Sequence, residues 1–209
     1  MEGFAHVYAA RVNHHGLQRC IELEGCKGEV GVDFECAEYR QTASSYYECN
    51  GYRLPTHAEF QYAIRAGTKT AFYSGPFEPP SDDCIEVPHL NDTAWYCINS
   101  ENQTHPVMKK APNPWGLYDM MGNVMEYVGS NPDLFEIRPR PVTDPFSELS
   151  QEGVFGMFGG PYFGWPSLLR SANQSGASDV TRLPRDKSMG SALGFRLVRT
   201  LTDDEAARW

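Results

Sequence analysis

Two oxygen-bearing side chains, Asn123 and Glu126, stand three residues apart in the run Asn113-Pro-Trp-Gly-Leu-Tyr-Asp-Met-Met-Gly-Asn-Val-Met-Glu-Tyr127. Carboxylate, amide and main-chain oxygens are what a hard cation such as Ca²⁺ takes as ligands. Gly116 and Gly122 give this backbone the freedom to turn such oxygens toward one point. The plainer alternative has Asn123 capping a turn and Glu126 solvated or ion-paired, because short oxygen motifs often match by chance. A second set of candidates lies further on. The aromatic and glycine-rich run Val154–Trp165 predicts a strand and a tight turn near a concave surface. Tyr162, Phe163 and Trp165 offer stacking there, and Asn173, Gln174 and Ser175 offer adaptable hydrogen bonds. These aromatics could equally be core. Tyr162, Arg170, Asp179 and Arg182 could supply acid–base or anion-binding groups, but they form no recognisable catalytic constellation.

The six cysteines, Cys20, Cys26, Cys36, Cys49, Cys84 and Cys97, all fall in the first half of the chain. None forms a C-x-x-C pair, which argues against zinc-ribbon and thioredoxin-type chemistry. An even count with loop-like spacing fits disulfides in an oxidising compartment. Pairing in sequence order, Cys20–Cys26, Cys36–Cys49 and Cys84–Cys97, is one of several connectivities. Six reduced thiols in a cytosolic protein are the alternative. The cysteines favour an extracytoplasmic location, and the lack of a recognisable signal peptide leaves a cytoplasmic one open.

The elements that position these groups are short. The chain has 209 residues, with nineteen Gly, fifteen Pro and 12% aromatics, which predicts a loop-rich fold with few long helices. A net charge of −9 disfavours nucleic-acid binding. No apolar run is long enough to span a membrane. Phe4, Val7, Tyr8 and Val12 predict a short amphipathic helix over 2–15. Cys20–Leu23 and Tyr46–Cys49 read as β-prone. Thr56 and Glu59 form an S/T-x-x-E capping box that starts a helix at about 57–66, with Gly67 as its cap. His57, at that start, is a free imidazole or a surface residue. Trp95–Cys97 and Leu168–Ala172 read as strands. Ala192–Arg199 reads as the final strand, with Phe195 and Leu197 on one face and Arg196 and Val198 on the other. The tail from Thr202 reads as a loose helical turn. No internal repeat or second domain appears, so residues 1–209 read as a single domain.

Three segments together resemble a known family. They are Gly51-Tyr-Arg-Leu-Pro-Thr-His-Ala-Glu-Phe-Gln-Tyr-Ala-Ile-Arg-Ala-Gly67, the Asn113–Tyr127 run and Gly194-Phe-Arg-Leu-Val-Arg199, in the order that the family has them. Gly159-Gly160 falls where the family carries Arg-Gly-Gly-Ser. The family is the formylglycine-generating enzyme, or sulfatase-modifying factor, superfamily, and the resemblance covers roughly residues 5–200. It implies an α+β fold, the formylglycine-generating-enzyme-type variant of the C-type lectin fold, with little regular secondary structure. It implies a structural Ca²⁺ held by the Asn123 and Glu126 side chains with the Met121 and Val124 carbonyls. The family's other calcium site has Ala94 at the expected Asn and is expected to be lost. The resemblance also implies a chain shortened at its N-terminus, whose first strands are absent or supplied by a partner chain.

The family's chemistry does not carry over by position. Formylglycine generation uses a cysteine pair to hold copper, because soft thiolates suit Cu(I). That pair should lie between Gly160 and Arg170, and no cysteine follows Cys97. The iron-dependent relatives need a histidine triad, and no histidine follows His105. The expectation is therefore a non-catalytic binding or accessory domain. Its ligand, a protein or a small molecule, would meet Tyr162, Phe163, Trp165, Arg170, Asn173, Gln174, Ser175 and Arg182. Two alternatives stand beside it: a superfamily enzyme with altered chemistry, and a subunit of a larger assembly.

Overall fold

The computed structural model describes residues 16–28, 36–78, 80–129, 143, 155–173, 175–177 and 192–208. The helix expected over 2–15 lies outside them. Helix α1, His57–Arg65, starts where the capping box places it. The Thr56 hydroxyl accepts from the Glu59 amide, and the Glu59 carboxylate accepts from the Thr56 amide at 2.8 Å. Its inner face buries Phe60 and Ile64, the positions given by helical periodicity. The cap differs by one residue. Ala66, at φ 45°, takes the left-handed turn, and Gly67 follows it.

Before α1 lies a cysteine-rich unit. Strand β1, Ile21–Glu24, pairs antiparallel with β2, Glu38–Gln41. Tyr46–Glu48, expected as a strand, is a turn of 3₁₀ helix capped by Ser45. Tyr46 is buried, and its hydroxyl donates to the Leu54 carbonyl at 3.1 Å. That tertiary bond overrides the residue's β-propensity. The disulfides join Cys20 to Cys49, Cys26 to Cys36 and Cys84 to Cys97. Pairing in sequence order is thus right for Cys84–Cys97 and wrong for the other two. Cys26–Cys36 closes the end of the β1–β2 hairpin, and Cys20–Cys49 closes a loop around it. Three disulfides point to an oxidising compartment, extracellular or periplasmic.

The main sheet has four strands in the order β5-β4-β3-β6. These are β3, Met125–Val128; β4, Phe155–Phe158; β5, Ser175–Ala177; and β6, Leu193–Phe195. Neighbours are antiparallel except β3 and β6, which run parallel. Two cores flank the sheet. The larger joins α1 to Phe72, Leu90, Tyr96, Met120, Val128 and Phe158. The smaller packs Leu54, Met125, Tyr127 and Met157 against Leu193, Phe195 and Leu197. Phe195 and Leu197 thus share a face, as the alternation predicts. A short helix α2, Pro88–Asn91, was not legible, and Trp95–Cys97 forms only an isolated bridge from Trp95 to Gly122. Of residues 168–172, expected as a strand, Leu168 and Leu169 instead end a 3₁₀ turn, Pro166–Leu169, because proline at the first position presets helical φ, and the rest form no strand. The tail forms α3, Asp203–Ala206. No helix among the described residues is long and apolar enough to cross a membrane.

Arg53 ties these parts together. Its side chain is 1% exposed and pairs with both Glu59 oxygens, at 2.7 and 2.8 Å. It lies 4.6 Å from the Tyr46 ring centroid and donates to the Thr200 hydroxyl at 3.2 Å. Its backbone exchanges two hydrogen bonds with Val198. Glu59→Gln leaves this buried guanidinium without a counter-charge. Urea unfolding of the variant should show a loss of about 3 kcal/mol, as for other broken buried pairs. A loss well under 1 kcal/mol would make the pair equivalent to a surface contact.

Candidate functional site

Asn123 sits at φ 61°, a left-handed position that asparagine tolerates. Its side-chain oxygen accepts from the His105 amide at 2.9 Å, and its side-chain nitrogen donates to the His105 carbonyl at 3.0 Å. Its backbone reaches two further segments. The Asn123 amide donates to the Trp95 carbonyl, and the Asn123 carbonyl accepts from the Tyr162 amide, both at 2.8 Å. Gly122, at φ 74°, lies so close to Trp95 that a Cβ there would stand 2.2 Å from the Trp95 carbonyl oxygen. His105, held in this way, stacks on Trp95 with centroids 3.8 Å apart. Lys110 lies over the same ring, 3.9 Å from its centroid.

Glu126 is buried in β3, where both its oxygens accept from Arg196. The same guanidinium donates to the Tyr118 and Asp119 carbonyls at 3.3 and 3.1 Å. Burial pushes the Glu126 carboxyl above its ordinary value, with Arg196 pulling against it. As placed, this donor set does not fit a calcium ion held by Asn123, Glu126 and the Met121 and Val124 carbonyls. The amide oxygen of Asn123 is engaged by His105, and the carboxylate is already neutralised by a guanidinium. The plainer reading of both residues, a turn-holding amide and an ion-paired acid, describes what is observed.

The second candidate set is built on a tight turn. Gly160, at φ 76°, packs so closely that a Cβ would meet the Leu168 carbonyl oxygen at 3.0 Å. Tyr162 is buried with its ring edge-on to half-buried Phe163. Trp165 is 46% exposed and caps the 3₁₀ turn, and exposed Arg170 closes it. Arg170 spends its Nε on the Ser167 carbonyl at 3.0 Å. Asn173 donates to the Leu168 carbonyl at 2.9 Å. The Cys97 amide holds the turn from below through the Gly164 carbonyl at 3.2 Å, and the Ser171 amide anchors its far end to Ala71 at 2.8 Å. Phe163, Trp165, Arg170 and Asn173 thus lie along or beside this turn, and Tyr162 is buried. Ser175 contributes backbone to β5, while Gln174, Asp179 and Arg182 lie outside the described residues. An open cleft of about 320 Å³ lies elsewhere, lined by Arg199, Leu201, Glu205 and Arg208. Its Arg199 is already bidentate to Glu205.

His57 is not a free surface imidazole. Its ring packs 4.8 Å from that of Phe158, and burial lowers its pKa to about 4. Sequence reasoning missed the Arg196 partner of Glu126 and the Trp95–His105–Lys110 stack. The outward alternation of Arg196 in the last strand was a usable signal for the first. Nothing local marks the second.

A short mixed sheet, small helices and long irregular connections define an α+β domain of the formylglycine-generating-enzyme type. The chain belongs to the family described as the sulfatase-modifying factor enzyme 1-like domain, matched over residues 5–201. It is 43% identical over 161 residues to a chaperone protein LppX of Paenibacillus barcinonensis, covering 72% of this chain and 50% of that one. It is 36% identical over 91 residues to the formylglycine-generating enzyme of Mycobacterium tuberculosis, covering 41% of this chain and 29% of that one. The chain thus spans half or less of the length of these curated relatives. In fold it resembles Treponema denticola variable protein 1, with a TM-score of 0.60 at 22% identity, over 96% of this chain and 68% of that one. It also resembles PvdO from Pseudomonas aeruginosa, with a TM-score of 0.54 at 24% identity, over 94% of this chain and 77% of that one. At these identities the likeness is one of fold alone.

Asn123→Ala removes both side-chain bonds to His105. It should lower stability by about 1–3 kcal/mol, equally in calcium and in chelator. A calcium-dependent melting temperature that vanishes in the variant would instead make Asn123 a metal ligand. His57 gives a second test. Its ring stays neutral in the fold to about pH 4, whereas the unfolded chain protonates near 6.5. The unfolded state therefore binds the extra proton as pH falls through that window, and stability drops. His57→Gln should flatten the fall in melting temperature between pH 7 and 4.5. An unchanged slope would show that the ring does not contribute.

Proposed function

We propose that this domain is a non-catalytic binding or accessory domain of its superfamily, acting outside the cytoplasm. The observation that carries this reading is Trp165. A large aromatic is held 46% exposed on a turn fixed by backbone bonds to Cys97 below and Ala71 at its end. Tryptophan and arginine are the residue types that dominate recognition surfaces, and a pre-ordered turn reduces the entropy lost on binding. Arg170, at the other end of the same 3₁₀ turn, adds a cation to a chain of net charge −9. Phe163 and Asn173 complete the surface, with Gln174, Ser175 and Arg182 as its proposed extension.

The ligand that fits is a protein segment or small molecule presenting a flat apolar group near an oxygen acceptor. The copper chemistry of formylglycine generation is not part of this reading, because the chain carries no cysteine beyond Cys97.

An array of short peptides pairing aromatic with acidic residues tests the proposal. Binders should lose about 2 kcal/mol of affinity with Trp165→Ala, the scale of an interfacial anchor, and lose less with Arg170→Ala. Copper-dependent oxidation of a cysteine peptide by the purified chain would overturn the non-catalytic reading. Binding indifferent to both substitutions would move the ligand away from this turn.

A further inference from the structure

The Cys84–Cys97 disulfide reaches the Trp165 turn more directly than its place in the chain suggests. Cys97 is half-buried against the larger core, and its amide holds the Gly164 carbonyl, one residue before Trp165. Two residues before Gly164, the Tyr162 amide is held by the Asn123 carbonyl, and the Asn123 amide in turn bonds Trp95. Residues 95–97 therefore form the floor of the aromatic surface. Cys84 stands at the opposite extreme. It is exposed, in a segment whose nearby hydrogen bonds are local: Asp83 to Ser81 and Ile85 to Asp83. The disulfide joins this exposed segment to the floor, beside the packing of Ile85 and a bond from the Val87 amide to the Tyr96 hydroxyl. Cys20–Cys49, by contrast, is buried at both ends within the cysteine-rich unit.

We propose that Cys84–Cys97 is a redox-addressable fastening of the Trp165 surface, opened by an external dithiol. One thiolate of the dithiol attacks the sulfur of Cys84, the more exposed of the two residues. A mixed disulfide forms, and Cys97 leaves as a thiolate that takes a proton from solvent. The second thiol of the dithiol then attacks the mixed disulfide and releases Cys84. Two electrons pass to the chain, and the dithiol ends as a disulfide. Access selects the sulfur attacked, which is the ordinary rule for such exchange. Opening frees residues 80–85 and loosens Cys97, so the Gly164 bond weakens and the Trp165 turn changes its exposure. The proposal depends on the binding reading only for its consequence, and its test uses no ligand.

The native chain would be titrated with dithiothreitol, trapped by alkylation and mapped by mass spectrometry. Tryptophan emission and acrylamide quenching would be followed in parallel for the unsubstituted chain and Trp165→Phe, whose difference isolates Trp165. Cys84 and Cys97 should be labelled together while Cys20 and Cys49 stay unlabelled. Over the same range the Trp165 quenching constant should rise toward that of a solvated indole, with far-ultraviolet circular dichroism unchanged. The double variant C84S/C97S should show the raised quenching without reductant. A Trp165 signal that does not move once Cys84–Cys97 is open overturns the proposal. So does opening of Cys20–Cys49 in step with it, which would mean global unfolding.

Discussion

A buried guanidinium needs partners, and Arg53 draws its own from three separate parts of the chain. Tyr46 supplies an aromatic face from the cysteine-rich unit, Glu59 a carboxylate from the first turn of α1, and Thr200 a hydroxyl from beyond the last strand. Removing a charge from water is expensive unless such partners are in place. The position of α1 relative to the smaller core is therefore set by an electrostatic requirement as much as by packing. Arginine suits the task better than lysine, because its planar fork engages both carboxylate oxygens while its face lies against a ring. Glu59 serves two masters, since the carboxylate that neutralises Arg53 also completes the helix capping box.

The same logic recurs at the centre of the sheet. Glu126 and Arg196 bring together a carboxylate, a guanidinium and two main-chain carbonyls. That is the kind of oxygen collection a cation would gather, and here a side-chain cation gathers it. Asn123 works beside it as a three-way joint, fixing His105 with its side chain and Trp95 and Tyr162 with its backbone. The proposed binding surface rests on that joint. Its exposed aromatic can be presented rigidly because Tyr162 and Trp95, beneath it, are both hydrogen-bonded to Asn123.

Much of this was legible where the signal is local. The Thr56–Glu59 box, the alternation of β6 and the family-like motifs each specify structure within a few residues. The even cysteine count anticipated disulfides but not their partners. Cys20 meets Cys49 because the β1–β2 hairpin folds between them, and no spacing rule contains that hairpin. Tyr46–Cys49 and Leu168–Ala172 were misread as strands for a related reason. A buried tyrosine hydroxyl in one case and a leading proline in the other outweighed side-chain β-propensity. The partners of Asn123 and Glu126, His105 and Arg196, lie far away in the chain, which a local motif cannot show.

The parallel pairing of β3 with β6 has a consequence for how the chain comes to be folded. β6 lies beside the central strand, yet it follows β3, β4 and β5 in the chain. Arg196 and Thr200 come with it, so Glu126 must wait for its counter-ion and Arg53 for its final partner until β6 and the residues after it have been made. Until then the nascent portion holds two charged groups whose burial is incomplete, which leaves it open to misassembly. Long-range closure of this kind makes folding slow relative to helical domains, and it makes the late segment the one on which release from any holding factor would turn.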